Sequence, residues 1–360
     1  MVQKELVYPL QMVISIRRIN VMKKIVALLL VLVLAFGILS ACQNNKDDSK
    51  ESASSETKEN VVATVGDEVI TEDEMKYMIG FVKSSMITGM EGQALEDFWN
   101  TLIDGVDPAD YIRKEAFEIL VDRTLLAQVA NDAGITVAAE EIDGFFTQNK
   151  DMTANIMDTY GVSEESLKAI YRKELLYGKY DQTVLAVDER YNPTDEQLKE
   201  IFQKDYYKAQ HILKMTVNPE TNEPLSQEEK DAARVEIDNI LLSLKDGADF
   251  EAMMQEHNED PGMEQLPGGY VFSKYSGMAP EFYEATVTLE ENSISEVIET
   301  AFGYHIIKRL PLDVDADLEA NREQVQDMYK EVEVAKLVEE LRGSVEIKTD
   351  EAKLKEIAVK

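Results

Sequence analysis

One cysteine, one tryptophan and three histidines are all that a chain of 360 residues holds of these types, and 37 basic residues face 70 acidic ones. The single cysteine, Cys42, excludes intramolecular disulfides and thiolate metal clusters. A formal net charge of -33 argues against nucleic acid as a partner, because neutralising phosphates requires an excess of Lys and Arg. The same charge means that an approach to an anionic membrane must rest on something other than side chains. Neither a G-x-S-x-G elbow nor an H-E-x-x-H pair occurs, which removes two common hydrolase signatures. The repeated βαβ units of a two-lobed solute receptor are missing as well. His257 sits beside Asn258 and Glu259 without metal-ligand spacing, so it is read as peripheral and no metal site is expected.

The remaining composition, 44% hydrophobic and 30% charged, is that of a soluble globular protein, and the length suggests two domains or one domain inserted into another. Near the start, Met22, Lys23 and Lys24 precede an unbroken apolar run over residues 25–39, and Leu39, Ser40, Ala41 and Cys42 close it. These are the parts of a secretory signal peptide, and the run is shorter than the ~20 residues that span a bilayer. The closing four residues resemble a bacterial lipobox, which makes Cys42 the lipid attachment point and places the chain on the extracytoplasmic face of a cell membrane. Residues 1–21 lie upstream of a better-formed start at Met22. Residues 43–60 contain no large apolar side chain and read as a disordered tether.

Folded sequence begins at Val61. VVATVGDEVIT alternates as a hairpin turning at Gly66 and Asp67, and Thr71 with Glu74 forms a capping box for a helix to about Val82. Apolar residues at three and four residue spacing predict a helix over residues 109–133, ended by Gly134. Further helices are expected over 139–149, 153–160 and, with Ser163 as N-cap, 163–187. Thr194 with Gln197 and Ser226 with Glu229 are two more capping boxes, the second opening a helix ended by Gly247. Residues 248–260 supply a short helix and the surroundings of Phe282 another. After residue 312 a charged helix over 316–341 is stopped by Gly343, and VEIK at 345–348 is a strand candidate. Met75, Met78, Met86 and Met90 suit adaptable apolar contacts with bound chains, although filling a core is the commoner use of methionine.

Two stretches organise the second half: AQHILK at 209–214 and TAFGYHIIK at 300–308, each placing one histidine, His211 or His305, in an apolar run of strand type. Alone, either is a strand with a histidine in it. Together with the PGG and GMAPEF segments between them they resemble the signature of the parvulin-type peptidyl-prolyl isomerases. The phrases VVATVGDEVITEDEM, EILVDRTLLAQVANDAGITVAAEEID, YGVSEESLKAIYRKELL and NPTDEQLKEIF resemble, in order and spacing, the chaperone domain of the PrsA-like extracytoplasmic foldase lipoproteins and their SurA-like relatives.

The resemblance implies an α+β chain. A mostly helical chaperone domain is built from residues 61–204 and 312–360, with an inserted parvulin-like domain, a small antiparallel sheet plus helices, over 205–311. It implies isomerisation of X-Pro bonds without a cofactor. His211 and His305 are expected as paired strand histidines sharing hydrogen bonds, Asp260 as the group facing the substrate carbonyl, and Thr300 as the hydroxyl of the histidine network. Met278, Phe282 and Phe302 are expected to line the proline pocket. Bland alternatives stand beside these roles: Asp260 before Pro261 and Gly262 can simply initiate a turn, and Met278 and Phe282 have ordinary core spacing. Gly268 and Gly269 run into Tyr270, Val271 and Phe272 where the family has GGDLGWF, so the pocket leucine lacks a counterpart. No arginine cluster follows His211, which speaks against a phosphate-directed preference. Expected partners are unfolded or newly exported chains with X-Pro bonds, the membrane through Cys42, and a second copy in a homodimer. The competing reading is a holdase whose parvulin domain only binds.

Overall fold

A computed structural model describes residues 60–103, 105–219 and 224–359. The expected signal peptide, Cys42 and residues 43–59 of the tether lie outside the described residues. Two compact units divide the chain: one runs to Asn192 and resumes at Glu331–Lys360, the other is Pro193–Lys330.

The first unit opens with the hairpin β1 (Val61–Val65) and β2 (Glu68–Thr71) and continues into α1 (Glu72–Ile87). Glu74 closes the capping box by accepting from the Thr71 N–H at 2.8 Å, and its other oxygen meets Lys173 Nζ at 2.7 Å. One local motif thus starts a helix and ties it to a distant one. Helix α2 (Gly92–Asn100) has no fully buried residue. In α3 (Pro108–Asp132) every residue from Val121 to Ala127 is buried, because helices pack on it from several sides. The charges caught in that run are paired: Arg123 with Glu174 at 2.5 Å, and Asp122 with Arg342. Burial raises the carboxyl pKa of Glu174, against the pull of Arg123 and Lys173. Helices α4 (Ala139–Gln148), α5 (Lys150–Tyr160) and α6 (Glu164–Tyr180) follow, α6 ending in a π-helical turn at Asp181–Leu185.

The second unit contains α7 (Asp195–Asp205), β3 (Tyr206–Met215), α8 (Gln227–Lys245), α9 (Phe250–His257), α10 (Pro261–Gln265), β4 (Tyr270–Ser273), α11 (Pro280–Thr288), β5 (Ile298–Thr300) and β6 (Gly303–Leu310). Its strands form one antiparallel sheet in the order β4-β3-β6-β5. Ile212 and Ile306 point to one face, where Ile237, Ile240, Leu241 and Leu244 of α8 and Phe250 and Met254 of α9 cover them. Ala209, Phe272 and Ile307 point to the other, against α11. Gly303 opens β6 at φ +149, and a Cβ there would collide with the Lys214 carbonyl oxygen of β3.

Helix α12 (Val314–Ser344) runs from the second unit into the first. It is continuous through Gly343, so the expected stop at that glycine is corrected to one residue beyond it. The second unit begins before residue 205 and ends after 311 because Leu198 and Phe202 of α7 share a buried cluster with Tyr206 and with Leu318 and Val325 of α12. Within the first unit, β7 (Ile347–Thr349) adds to the free edge of β1 and α13 (Glu351–Glu356) follows, burying Leu354, Ile357 and Val359. The fold is thus α+β: a mainly helical unit formed by two segments of the chain, and, inserted between them in sequence, a unit with a small antiparallel sheet. Met75 and Met78 are fully buried core residues, so of the two uses open to them these two fill the core. Among the described residues no helix is long and apolar enough to cross a membrane, and no group of three or more His, Cys, Asp or Glu side chains could hold a metal ion.

Candidate active site

Strand register assembles the site. His211 pairs with Ile307 and Leu213 with His305, so the two histidines lie diagonally across β3 and β6 on one sheet face. Their ring centroids are 5.3 Å apart, and both side chains are buried. On the other side of β3, Ala209 pairs with Tyr270, which puts the tyrosine ring on the same face, 5.8 Å from His211. Phe282 of α11 meets both imidazoles edge-to-face at 5.2 and 5.5 Å, a favoured aromatic geometry. Phe282 and the half-buried Met278 belong to one apolar cluster with Ala209, Phe272 and Ile307.

Asp260 enters from the loop before α10. Its Oδ1 accepts from the Gly262 N–H at 2.9 Å, which caps α10. Its Oδ2 accepts from the Tyr270 hydroxyl at 2.8 Å and stands 3.1 Å from His211 Nε2. Asp260 therefore initiates a turn and faces a histidine at once. Burial pushes its carboxyl up, but His211, the Gly262 N–H and the Tyr270 O–H outweigh that and hold it at about 2. His305 Nε2 and the Thr300 hydroxyl share a hydrogen bond of 2.8 Å, and the same hydroxyl accepts from the Phe302 N–H. Burial, reinforced by His211 and opposed by Asp260, pushes the His305 imidazole down to about 3. At neutral pH the site presents a carboxylate, a neutral imidazole at His305, a hydroxyl and an aromatic ring.

One expectation is revised. The histidines do not hydrogen-bond to each other: both ring nitrogens of His211 and the Nδ1 of His305 are buried without a hydrogen-bond partner, His211 Nε2 facing Asp260 Oδ2 at 3.1 Å without bonding geometry, while the Thr300 hydroxyl takes His305 Nε2. Phe302, in the β5–β6 turn, is 57% exposed, and its backbone N–H donates to the Thr300 hydroxyl. Tyr270, in sequence only a departure from the family pattern, is the site residue that motif matching misses, and its place directly after Gly268 and Gly269 is the one available signal.

The Thr300 hydroxyl and the His305 imidazole bonded to it are both buried, and the polar groups of the site are few and fixed beside apolar surface. The family model of the PPIC-type PPIase domain matches residues 196–310. Residues 196–310 are a PPIC-type PPIase domain. Upstream of it, the model of the SurA-like N-terminal domain matches residues 12–181. Foldase protein PrsA of Caldanaerobacter subterraneus is 27% identical to the chain over 287 residues, 80% of this chain and 82% of the relative. Chaperone SurA of Nitrosococcus oceani is 26% identical over 264 residues, 69% of this chain and 57% of the relative, so the chain spans little more than half of that protein. The structure of the peptidylprolyl isomerase PrsA from Bacillus cereus is 22% identical, covers 71% of this chain and 95% of its own, and superposes with a TM-score of 0.32, too loosely to add to the sequence matches. With a PPIase domain joined to a SurA-like domain, the chain belongs among proteins that assist folding.

Proposed function

We propose that this chain is a lipid-anchored extracytoplasmic foldase that binds exported polypeptides and isomerises their X-Pro bonds on the face of the sheet carrying His211, Asp260 and His305. The observation that carries the reading is the meeting of a fixed carboxylate and two buried imidazoles over the Phe282 ring, inside a PPIC-type PPIase domain. Amide resonance opposes X-Pro rotation by about 18 to 20 kcal/mol, and uncatalysed exchange takes tens of seconds or longer. Lowering that barrier needs no covalent step. It needs a site that binds the twisted, less conjugated amide better than either planar form.

Met278 and Phe282 supply apolar surface for the pyrrolidine ring. The Asp260 carboxylate is the group assigned to act on the carbonyl of the preceding residue as it rotates. Fixed charges and dipoles of this kind act without reorganising when the bond twists, and a half-dry setting strengthens them. Thr300 and His305 hold the opposite wall.

Holding of clients falls to the helical unit. Leu95, Phe98 and Trp99 of α2, and Leu102 just after it, recur at helical spacing on one face, none of them fully buried and Leu102 62% exposed. Anchoring through Cys42 would keep both activities where exported chains emerge.

A protease-coupled proline isomerisation assay on the full chain tests the catalytic part. The wild type is expected to accelerate exchange and the double variant His211→Ala/His305→Ala to lose most of the acceleration. Equal rates for the two would leave a holdase only.

A further inference from the structure

We propose that Tyr270 and Gly262 are positioning residues that lock the Asp260 carboxylate onto His211, a proposal that rests on the isomerase reading above. An aspartate at a helix N-cap on a half-exposed loop is free to turn a carboxylate oxygen toward water. Here both oxygens are taken by donors from different elements: Oδ1 by the backbone of α10 and Oδ2 by the hydroxyl of β4. With both held, Oδ2 is left 3.1 Å from His211 Nε2.

The tyrosine is itself fixed from two sides. Its backbone is paired with Ala209, and its side chain packs against the buried apolar clusters on both faces of the sheet. Burial and the charge of Asp260 raise its phenol well above the usual value, so it remains an O–H donor across the neutral range. Gly262 is the complement of that hydroxyl, because a Cβ at residue 262 would occupy the place of the Tyr270 oxygen. A side chain there would push the hydroxyl off Asp260 while the ring stayed in place.

The polar groups therefore form two separate sets, Tyr270–Asp260 facing His211 and Thr300–His305. Such a clamp keeps the carboxylate from following the substrate carbonyl as it rotates, which is the condition for differential stabilisation of the twisted amide.

The test is a pair of variants in the full chain, each also made in the Asp260→Asn background. Tyr270→Phe keeps the ring and removes the donor, and the loss of a hydrogen bond to a charged group is expected to lower kcat/KM about tenfold. Gly262→Ala should give a similar loss with the hydroxyl present. In the Asp260→Asn background neither should add more than about twofold, because coupled residues are not additive. Equal losses in both backgrounds, or no loss with aspartate present, would overturn the clamp.

A second readout does not depend on catalysis. With three histidines in the chain, imidazole nitrogen NMR resolves each ring. Tyr270→Phe should move the His211 signals in the direction that Asp260→Asn moves them and leave those of His257 in place. Unmoved His211 signals overturn the clamp even if the wild type proves inactive, and moved signals in an inactive wild type uphold it while the isomerase reading falls.

Discussion

Lowering the pH from 8 to 5 should leave His305 unprotonated while destabilising the PPIase domain. Burial depresses this imidazole from 6.5 in the free state to about 3 in the folded one. A group whose folded pKa is depressed takes up protons in the unfolded state first, so stability rises with pH between about 3 and 6.5 and falls as pH drops through that window. Above 6.5 both states are neutral and the group adds no pH dependence. At about 1.4 kcal/mol per unit, the loss attributable to His305 is on the order of 2 kcal/mol at pH 5 and about twice that once pH falls below the folded value.

The assay is imidazole nitrogen NMR of the full chain between pH 8 and 5, a range that stops short of the sequence pI of 4.4. At pH 5 a ring with its pKa near 3 is about 1% protonated, whereas an unperturbed one is about 97% protonated. Protection factors of the β3 and β6 amides over the same range report the stability change. A His305 ring that titrates near 6.5 would mean that burial against Phe282 does not govern it, and the neutral-imidazole wall of the site would have to be abandoned.

Phe282→Ala removes a buried ring that touches both imidazoles and should cost about 3 to 5 kcal/mol in urea unfolding of the PPIase domain; a cost under about 1 kcal/mol would contradict its place in the core. Arg123→Met strands the Glu174 carboxylate inside the helical unit and should cost about 3 to 5 kcal/mol. The chain's one tryptophan, Trp99, reports on that unit by fluorescence, and an unchanged midpoint would mean that the ion pair is not buried as described. Gly303→Ala forces a Cβ against the Lys214 carbonyl at a φ that other residues rarely adopt, and should cost about 1 to 3 kcal/mol. Retained amide protection at the start of β6 would refute it.

What could be read in advance was local in sequence. The capping boxes at Thr71 and Glu74, Thr194 and Gln197, and Ser226 and Glu229 each formed, since such a motif is complete within four residues. The long helix over 109–133 followed from apolar spacing, and the two histidine strands from apolar runs. Features set by distant partners were not readable. Packing of Leu198 and Phe202 against Leu318 and Val325 moves both ends of the PPIase unit, and nothing near residue 204 or 311 announces it. Burial of Met75 and Met78 depends on which face of α1 meets α3. The short helices α2, α10 and α13 carry too few turns to leave a periodic signal. The histidines were identifiable by motif, and so was Thr300, whose hydroxyl bonds His305; that Asp260, held by Tyr270, faces His211 was not. Whether an imidazole meets another imidazole or an aspartate depends on loop paths that residue spacing does not encode.

Exchange spectroscopy on a short X-Pro peptide, with the full chain at a small fraction of the peptide concentration, measures rotation about the bond with no protease present. The account predicts that the wild type multiplies the rate of cis-trans interconversion and that Asp260→Asn and His211→Ala/His305→Ala return it close to the uncatalysed rate. An unaccelerated wild type, or acceleration that survives in both variants, would contradict it.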